Sequence, residues 1–161
     1  MLVPCLILSV LLVALDQLIK YWALTQLQPI STIPIIEGVL HLTYRENRGA
    51  AFSILTGKTE FLVILSIVML LFLLYMLLSK KISHRIGVFS TCLILAGGVG
   101  NLIDRVIRPG NFVVDYIDFR LINFAVFNLA DICIVCGTIL LMLYLLFIDG
   151  KETKKGSESH D

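Results

Sequence analysis

Four apolar runs, each about as long as the roughly 20 residues an α-helix needs to cross a hydrocarbon core, dominate this sequence. They extend from Val3 to Leu24, Phe61 to Leu78, Gly87 to Val106 and Phe124 to Ile148. Hydrophobic residues make up 58% of the chain and its mean hydropathy is +0.93, so a bilayer is the natural solvent for these runs. An even number of spans puts both termini on one side. The first run lacks a charged n-region and is interrupted by Asp16 and Lys20, which predicts a retained helix in place of a cleaved signal peptide.

Lys80, Lys81 and Arg85 in the second connection, and Lys151, Lys154 and Lys155 after the fourth run, predict that those sides are cytoplasmic. The third connection also carries Arg105, Arg108 and Arg120, but Asp104, Asp115 and Asp118 lie among them and imply local pairing. Within the first connection, Ile33 to Tyr44 mixes Pro, Gly and β-branched residues as a short sheet does. The expected fold is an all-α membrane protein of four helices, with a small extracytoplasmic β-rich platform between helices 1 and 2. One membrane domain would span 1–150, with a polar cytoplasmic tail over 151–161. No internal repeat is visible, and the tail is assigned no chemistry.

Several chemistries are disfavoured. A net charge of +1 and clustered charges argue against a nucleic-acid surface. His41, His84 and His160 show no ligand spacing, so neither metal nor cofactor is expected. Cys5, Cys92, Cys133 and Cys136 lie in apolar stretches, where thiols pack as small hydrophobes; Cys133-x-x-Cys136 is read the same way. There is no Gly-x-Ser-x-Gly elbow.

The informative residues are the polar ones inside the apolar runs, because an ionisable group at a helix centre costs about 2.5 to 3.5 kcal/mol on insertion scales. Asp16 and Lys20 share a face of the first helix at i, i+4, as a neutralising ion pair or as part of a site. Asn101, Asp104 and Arg105 share a face of the third, just after Gly97, Gly98 and Gly100, which admit a close neighbour. Asn128 and Asp131 are three apart on the fourth, with Asp131 expected about 10 Å inside the boundary at 1.5 Å per residue. With the orientation above, all three clusters fall toward the outer face of the membrane. The second helix carries only Ser66 and Tyr75 and reads as scaffold.

Val113 to Phe119 alternates apolar and polar residues as it approaches the fourth run, so either Asp115 or Asp118 can face Asp131. Two carboxylates in a low-dielectric site share a proton, and one can activate water while the other supports a carbonyl oxygen. Intramembrane acids also serve proton-linked carriers, and polar helix faces also bind partner helices in assemblies. The residues alone leave these readings open.

Five motifs in order carry a resemblance over roughly Leu11 to Leu145: Asp16-Gln17-x-x-Lys20, Asn47-x-Gly49-Ala50-Ala51-Phe52-Ser53, Gly98-x-x-Asn101-x-x-Asp104-Arg105, Val114-Asp115-Tyr116-x-Asp118-Phe119 and Phe127-Asn128-x-Ala130-Asp131. Together they resemble the lipoprotein signal peptidase family, also called signal peptidase II. The resemblance implies an aspartyl endopeptidase with Asp115 and Asp131 as catalytic pair. It implies supporting or substrate-binding roles for Asp16, Lys20, Asn47, Gly49, Asn101, Asp104, Arg105, Asn128 and Ala130. The implied substrate is a diacylglyceryl-modified prolipoprotein cut on the N-terminal side of its lipidated cysteine. The expected setting is the bacterial cytoplasmic membrane, with a monomer in contact with membrane lipid, both termini cytoplasmic and the active site near the outer face. The Asn47 to Ser53 stretch is the expected mobile cover over the substrate.

Overall fold

The computed structural model describes residues 1–49 and 54–149. Four helices cover the apolar runs: α1 (Leu2–Trp22, continued by a π turn over Ala23–Leu27), α2 (Thr59–Leu78), α3 (Arg85–Ile107) and α4 (Leu129–Tyr144, continued by a π turn over Leu145–Asp149). Each of the four is long and apolar enough to cross a membrane.

Small residues make α3 the hub of the bundle. It packs along α1, α2 and α4 and buries more of itself than the other three. A Cβ at Gly97 would overlap the Ala130 carbonyl, so only glycine lets α4 approach here. Ser90 and Thr91, fully buried on the same helix, return their hydroxyls to the Gly87 carbonyl and so cost little inside the bundle. The outward faces of the other helices present large apolar side chains, such as Leu71, Phe72 and Leu146, as a chain solvated by lipid must.

The fold is not all-α. Three strands, β1 (Thr32–Ile36), β2 (Leu40–Asn47) and β3 (Val113–Phe119), form an antiparallel sheet in the order β1-β2-β3. The platform expected between helices 1 and 2 supplies two strands, and the third comes from the connection between α3 and α4. The alternating β-branched and aromatic residues of β3 dock on the free edge of β2, pairing His41 with Asp118 and Arg45 with Asp115. The register shifts between Leu42 and Arg45. Beneath the sheet, Phe112, Val114 and Tyr116 pack on Ala23 and Leu27 at the end of α1.

The fourth helix begins at Leu129 and not at the expected Phe124. Phe127 exchanges backbone hydrogen bonds with Ile117, its N–H donating at 3.0 Å and its carbonyl accepting at 2.8 Å, which keeps the preceding residues extended. Asn128 then caps the helix. Asp131 therefore lies in the first turn of α4, not two turns inside a span.

The expected polar tail over 151–161 and the Ala50 to Ser53 part of the expected cover lie outside the described residues. Of the cysteines, Cys5, Cys92 and Cys133 are buried as apolar packing predicts, whereas Cys136 faces outward from α4; all four are free thiols.

Candidate active site

The start of α4 organises the site. Helix N-termini leave four backbone N–H groups without intrahelical partners, and here all four, from Asn128 to Asp131, are met from three directions. The Asn128 side chain accepts from Asp131 N at 2.9 Å, and Asp131 returns the bond by accepting from Asn128 N at 3.2 Å, which completes a capping box. Asp16, reaching across from α1, accepts from Ala130 N at 3.1 Å. The Tyr116 hydroxyl, from β3, accepts from Leu129 N at 3.1 Å. Asp131 is thus fixed by α4 itself, by α1 and by the sheet.

Asn128 also carries the link to the second acid. Its side-chain amide donates to Asp115 Oδ1 at 2.6 Å and lies 3.2 Å from Asn101 Oδ1. The other Asp115 oxygen accepts from Asn47 Nδ2 at 3.0 Å, and Asn47 Oδ1 accepts from Gly49 N at 3.0 Å, which folds the end of β2 over Asp115. Asn101 donates to Asp131 Oδ1 at 2.8 Å. Arg105 spans the gap between helix and sheet, donating to Asn101 O at 3.2 Å and to Gly49 O at 2.8 Å. Asp115 is 2% exposed, while Asp131 is only half-buried, so the pair has one enclosed acid and one open to an incoming group.

Below this pair lies a second charged set. Lys20, wholly buried, contacts Asp16 Oδ2 at 2.9 Å, Asn101 Oδ1 at 2.9 Å and Asp104 Oδ2 at 3.2 Å. Asp104 also pairs with Arg108 at 3.0 Å and accepts from Val114 N at 3.1 Å, tying α3 to β3. Gln17 donates to Gly100 O at 3.0 Å along the seam between α1 and α3. The two acids and two bases of this inner set cancel, which is the condition under which buried charges persist. Breaking one contact would leave an uncompensated charge.

The outer set balances differently. Arg105 lies in the field of both Asp115 and Asp131, and Lys20 of the inner set also acts on Asp115, while the two carboxylates repel each other unless a proton sits on one of them. Burial, reinforced by the charge on Asp131, lifts the Asp115 carboxyl to about 7 against the opposing donors Asn47 and Asn128. Asp118 behaves otherwise. Despite partial burial, hydrogen bonds from Thr43 (2.7 Å) and Arg120 (2.9 Å) hold it below the ordinary carboxylate range. It belongs to a polar group on the sheet and has no bond to Asp131 or Asn128 among those described.

Every residue expected at the site is therefore in one connected network: Asp16, Lys20, Asn101, Asp104, Arg105, Asn128, Asp131 and Asp115 through side chains, Asn47 through its amide, and Gly49 and Ala130 through their backbones. Sequence reasoning misses the role of Tyr116, because a phenol in an alternating strand gives no sign of the bond it makes, whereas the pairing of Arg108 with Asp104 agrees with the local pairing expected of the arginines in the third connection. Gln17 sits inside a recognisable motif, and its polarity in an apolar run is the available signal. Two neighbouring carboxylates, one enclosed and one accessible, with amide donors around them, can perform general acid and general base catalysis on a water molecule.

The sequence model of a family described as signal peptidase (SPase) II matches residues 8–147. The lipoprotein signal peptidase of Clostridioides difficile (strain 630) is 50% identical over 143 residues, covering 89% of this chain and 95% of that protein. That of Halothermothrix orenii (strain H 168) is 45% identical over 139 residues, covering 86% and 92%. A bacterial membrane enzyme solved by the in meso method at 1.9 Å superposes with a TM-score of 0.80 at 33% identity, covering 90% of this chain and 94% of the other.

Proposed function

Because the chain belongs to the signal peptidase II family and is an aspartic-type lipoprotein signal peptidase of the membrane, we propose that Asp115 and Asp131 are its catalytic pair. The observation that carries this reading is the Asn128 bridge, which holds both acids in one cluster. The carrier and assembly readings, which the residues alone left open, give way to a peptidase.

Burial favours the proton on Asp115 at rest. Asp131, the accessible partner, takes a proton from a water as that water attacks the scissile carbonyl, and Asp115 gives its proton to the carbonyl oxygen, leaving a neutral tetrahedral diol. Collapse reverses the roles. Asp131 protonates the leaving nitrogen, one hydroxyl returns its proton to Asp115, and the C–N bond breaks to release a carboxylic acid and an amine. Asn47 and Asn128 hold Asp115 in place throughout, and Arg105 balances the charge that moves between the two acids. Asp16, Lys20, Asn101 and Asp104, with Gly49 and Ala130, act as positioning residues: they fix the start of α4 and the end of β2.

The substrate in this reading is a diacylglyceryl-modified prolipoprotein, cut on the N-terminal side of the lipidated cysteine, and the enzyme works as a monomer without cofactor. The connections that carry β1, β2 and β3 lie at the end of the bundle opposite the Lys80, Lys81 and Arg85 connection, which supports an active site at the outer face of the cytoplasmic membrane with both termini inside. Residues 1–150 then form one membrane domain. Cleavage by the purified protein of a lipid-modified prolipoprotein, with the product's new N-terminus mapped to the modified cysteine, tests the specificity. Equal turnover of the unmodified precursor would contradict it.

A further inference from the structure

One end of the sheet is apolar and faces outward. Ile36 pairs with Leu40 and Leu40 with Phe119, so the three strands finish in one row, about 10 Å across at the usual strand spacing. Val39 O accepts from Arg120 N at 2.9 Å, which docks the short 3-10 turn Arg120–Ile122 against the β1–β2 hairpin, and Phe124 N returns to Phe119 O at 3.2 Å. This gathers Ile35, Ile36, Leu121, Ile122 and Phe124 at one tip. Leu121 and Ile122 are each 67% exposed and Ile36 is 54% exposed, yet none of the three belongs to a span. Such a group of large side chains marks an interaction surface.

Its surroundings identify the partner. Tyr21 and Trp22, outward-facing at the end of α1, are the residue types that mark a membrane–water boundary. Ile30, also outward-facing, continues that apolar surface toward β1. On the other flank, the chain from Ile122 reaches α4 at Leu129, so the tip is tethered close to the point where α4 meets the boundary. The adjacent charge is neutralised: Arg120 is paired with Asp118 and bonded to Thr32 and Thr43. Glu37 at the hairpin turn keeps a polar side toward water.

We infer that this tip is a lipid anchor: Ile35, Ile36, Leu121, Ile122 and Phe124 enter the boundary between headgroups and acyl chains of the leaflet on the active-site side. The anchor sets the height of β3, and with it Asp115, relative to the bilayer. That consequence rests on the reading of Asp115 as catalytic, whereas the depth of the tip does not.

Tryptophan fluorescence reads that depth without turnover. Trp22 is the sole tryptophan of the chain, so Trp22→Phe provides a dark background into which Ile122→Trp is placed, with Leu121→Trp as a second position should the first fail to fold. The full-length protein is reconstituted in phosphatidylethanolamine and phosphatidylglycerol vesicles, with and without lipids brominated on their acyl chains. Brominated lipid should remove most of the emission while aqueous iodide leaves it largely intact. Quenching by iodide and not by bromine would overturn the anchor. So would shielding that is lost on dilution of protein in lipid, which points to a second copy, or shielding that arises only on adding prolipoprotein, which points to substrate. Cleavage assays on the same variants stand apart, so a failed catalytic reading and a failed anchor are distinguishable.

Discussion

The side-chain amide of Asn128 donates to Asp115 at 2.6 Å, while the backbone N–H of the same residue donates to Asp131 at 3.2 Å. One residue thus fixes both acids, and it does so from the N-cap of a helix whose first turn carries Asp131. Asn128→Ala removes the hydrogen bond to Asp115, worth roughly 1.5–3 kcal/mol once that acid has given up its proton and is charged, and a cap worth about 1 kcal/mol. Turnover should fall about 10- to 100-fold with little change in KM, because the bond positions reacting groups and does not bind substrate. Steady-state kinetics on lipidated substrate check this; a change confined to KM would place Asn128 in binding instead.

Asp115 sets the expected pH dependence. Its proton must be present for catalysis, and it is lost as pH rises through about 7, so kcat/KM should decline on the alkaline side of that value. The same group affects stability. Between the ordinary carboxylate value of 3.8 and about 7 the folded protein holds a proton that the unfolded chain has lost, so stability from this group falls as pH rises across that window. Asp115→Asn should flatten the slope, which thermal unfolding in detergent at several pH values measures.

Lys20 compensates two buried acids at once. Lys20→Met leaves Asp16 and Asp104 facing each other in a dry interior, a loss of the order of 3–5 kcal/mol for a broken buried pair. The unfolding temperature should drop sharply, and adding Asp104→Asn in the same chain should recover part of it. If the double variant is as unstable as the single one, charge balance is not what holds this cluster.

Tyr116→Phe removes only the oxygen that accepts from Leu129 N, costing about 1 kcal/mol for one lost cap. The first turn of α4 loosens without losing Asp131, so turnover should drop by less than about tenfold on the scale where about 1.36 kcal/mol is tenfold. An unchanged kcat would show that Asp16 and Asn128 suffice to hold the helix start.

Helical periodicity made much of this site legible. Asp16 with Lys20, and Asn101 with Asp104 and Arg105, fall on single helix faces because about 3.6 residues per turn brings i and i+4 together, and the expense of charge in an apolar run singles them out. The start of α4 was not legible, since Phe124 to Phe127 are as apolar as a span and only the pairing of Phe127 with Ile117 shows that the chain is extended there. The alternation of β3 was visible, but the hydroxyl that holds Asp118 belongs to Thr43, 75 positions earlier in the chain, and local pattern carries no information about such pairings. Alternation along β3 also places Asp115 and Asp118, an odd number of residues apart, in different surroundings.

The most direct test places Asp115→Asn, Asp131→Asn and Asp118→Asn beside the unaltered protein in one assay, cleavage of a diacylglyceryl-modified prolipoprotein in detergent or lipid with folding checked in parallel. Either change in the pair should abolish cleavage in folded protein, while Asp118→Asn should cleave much as the unaltered protein does. Cleavage that survives Asp115→Asn but is lost in Asp118→Asn would contradict this pairing.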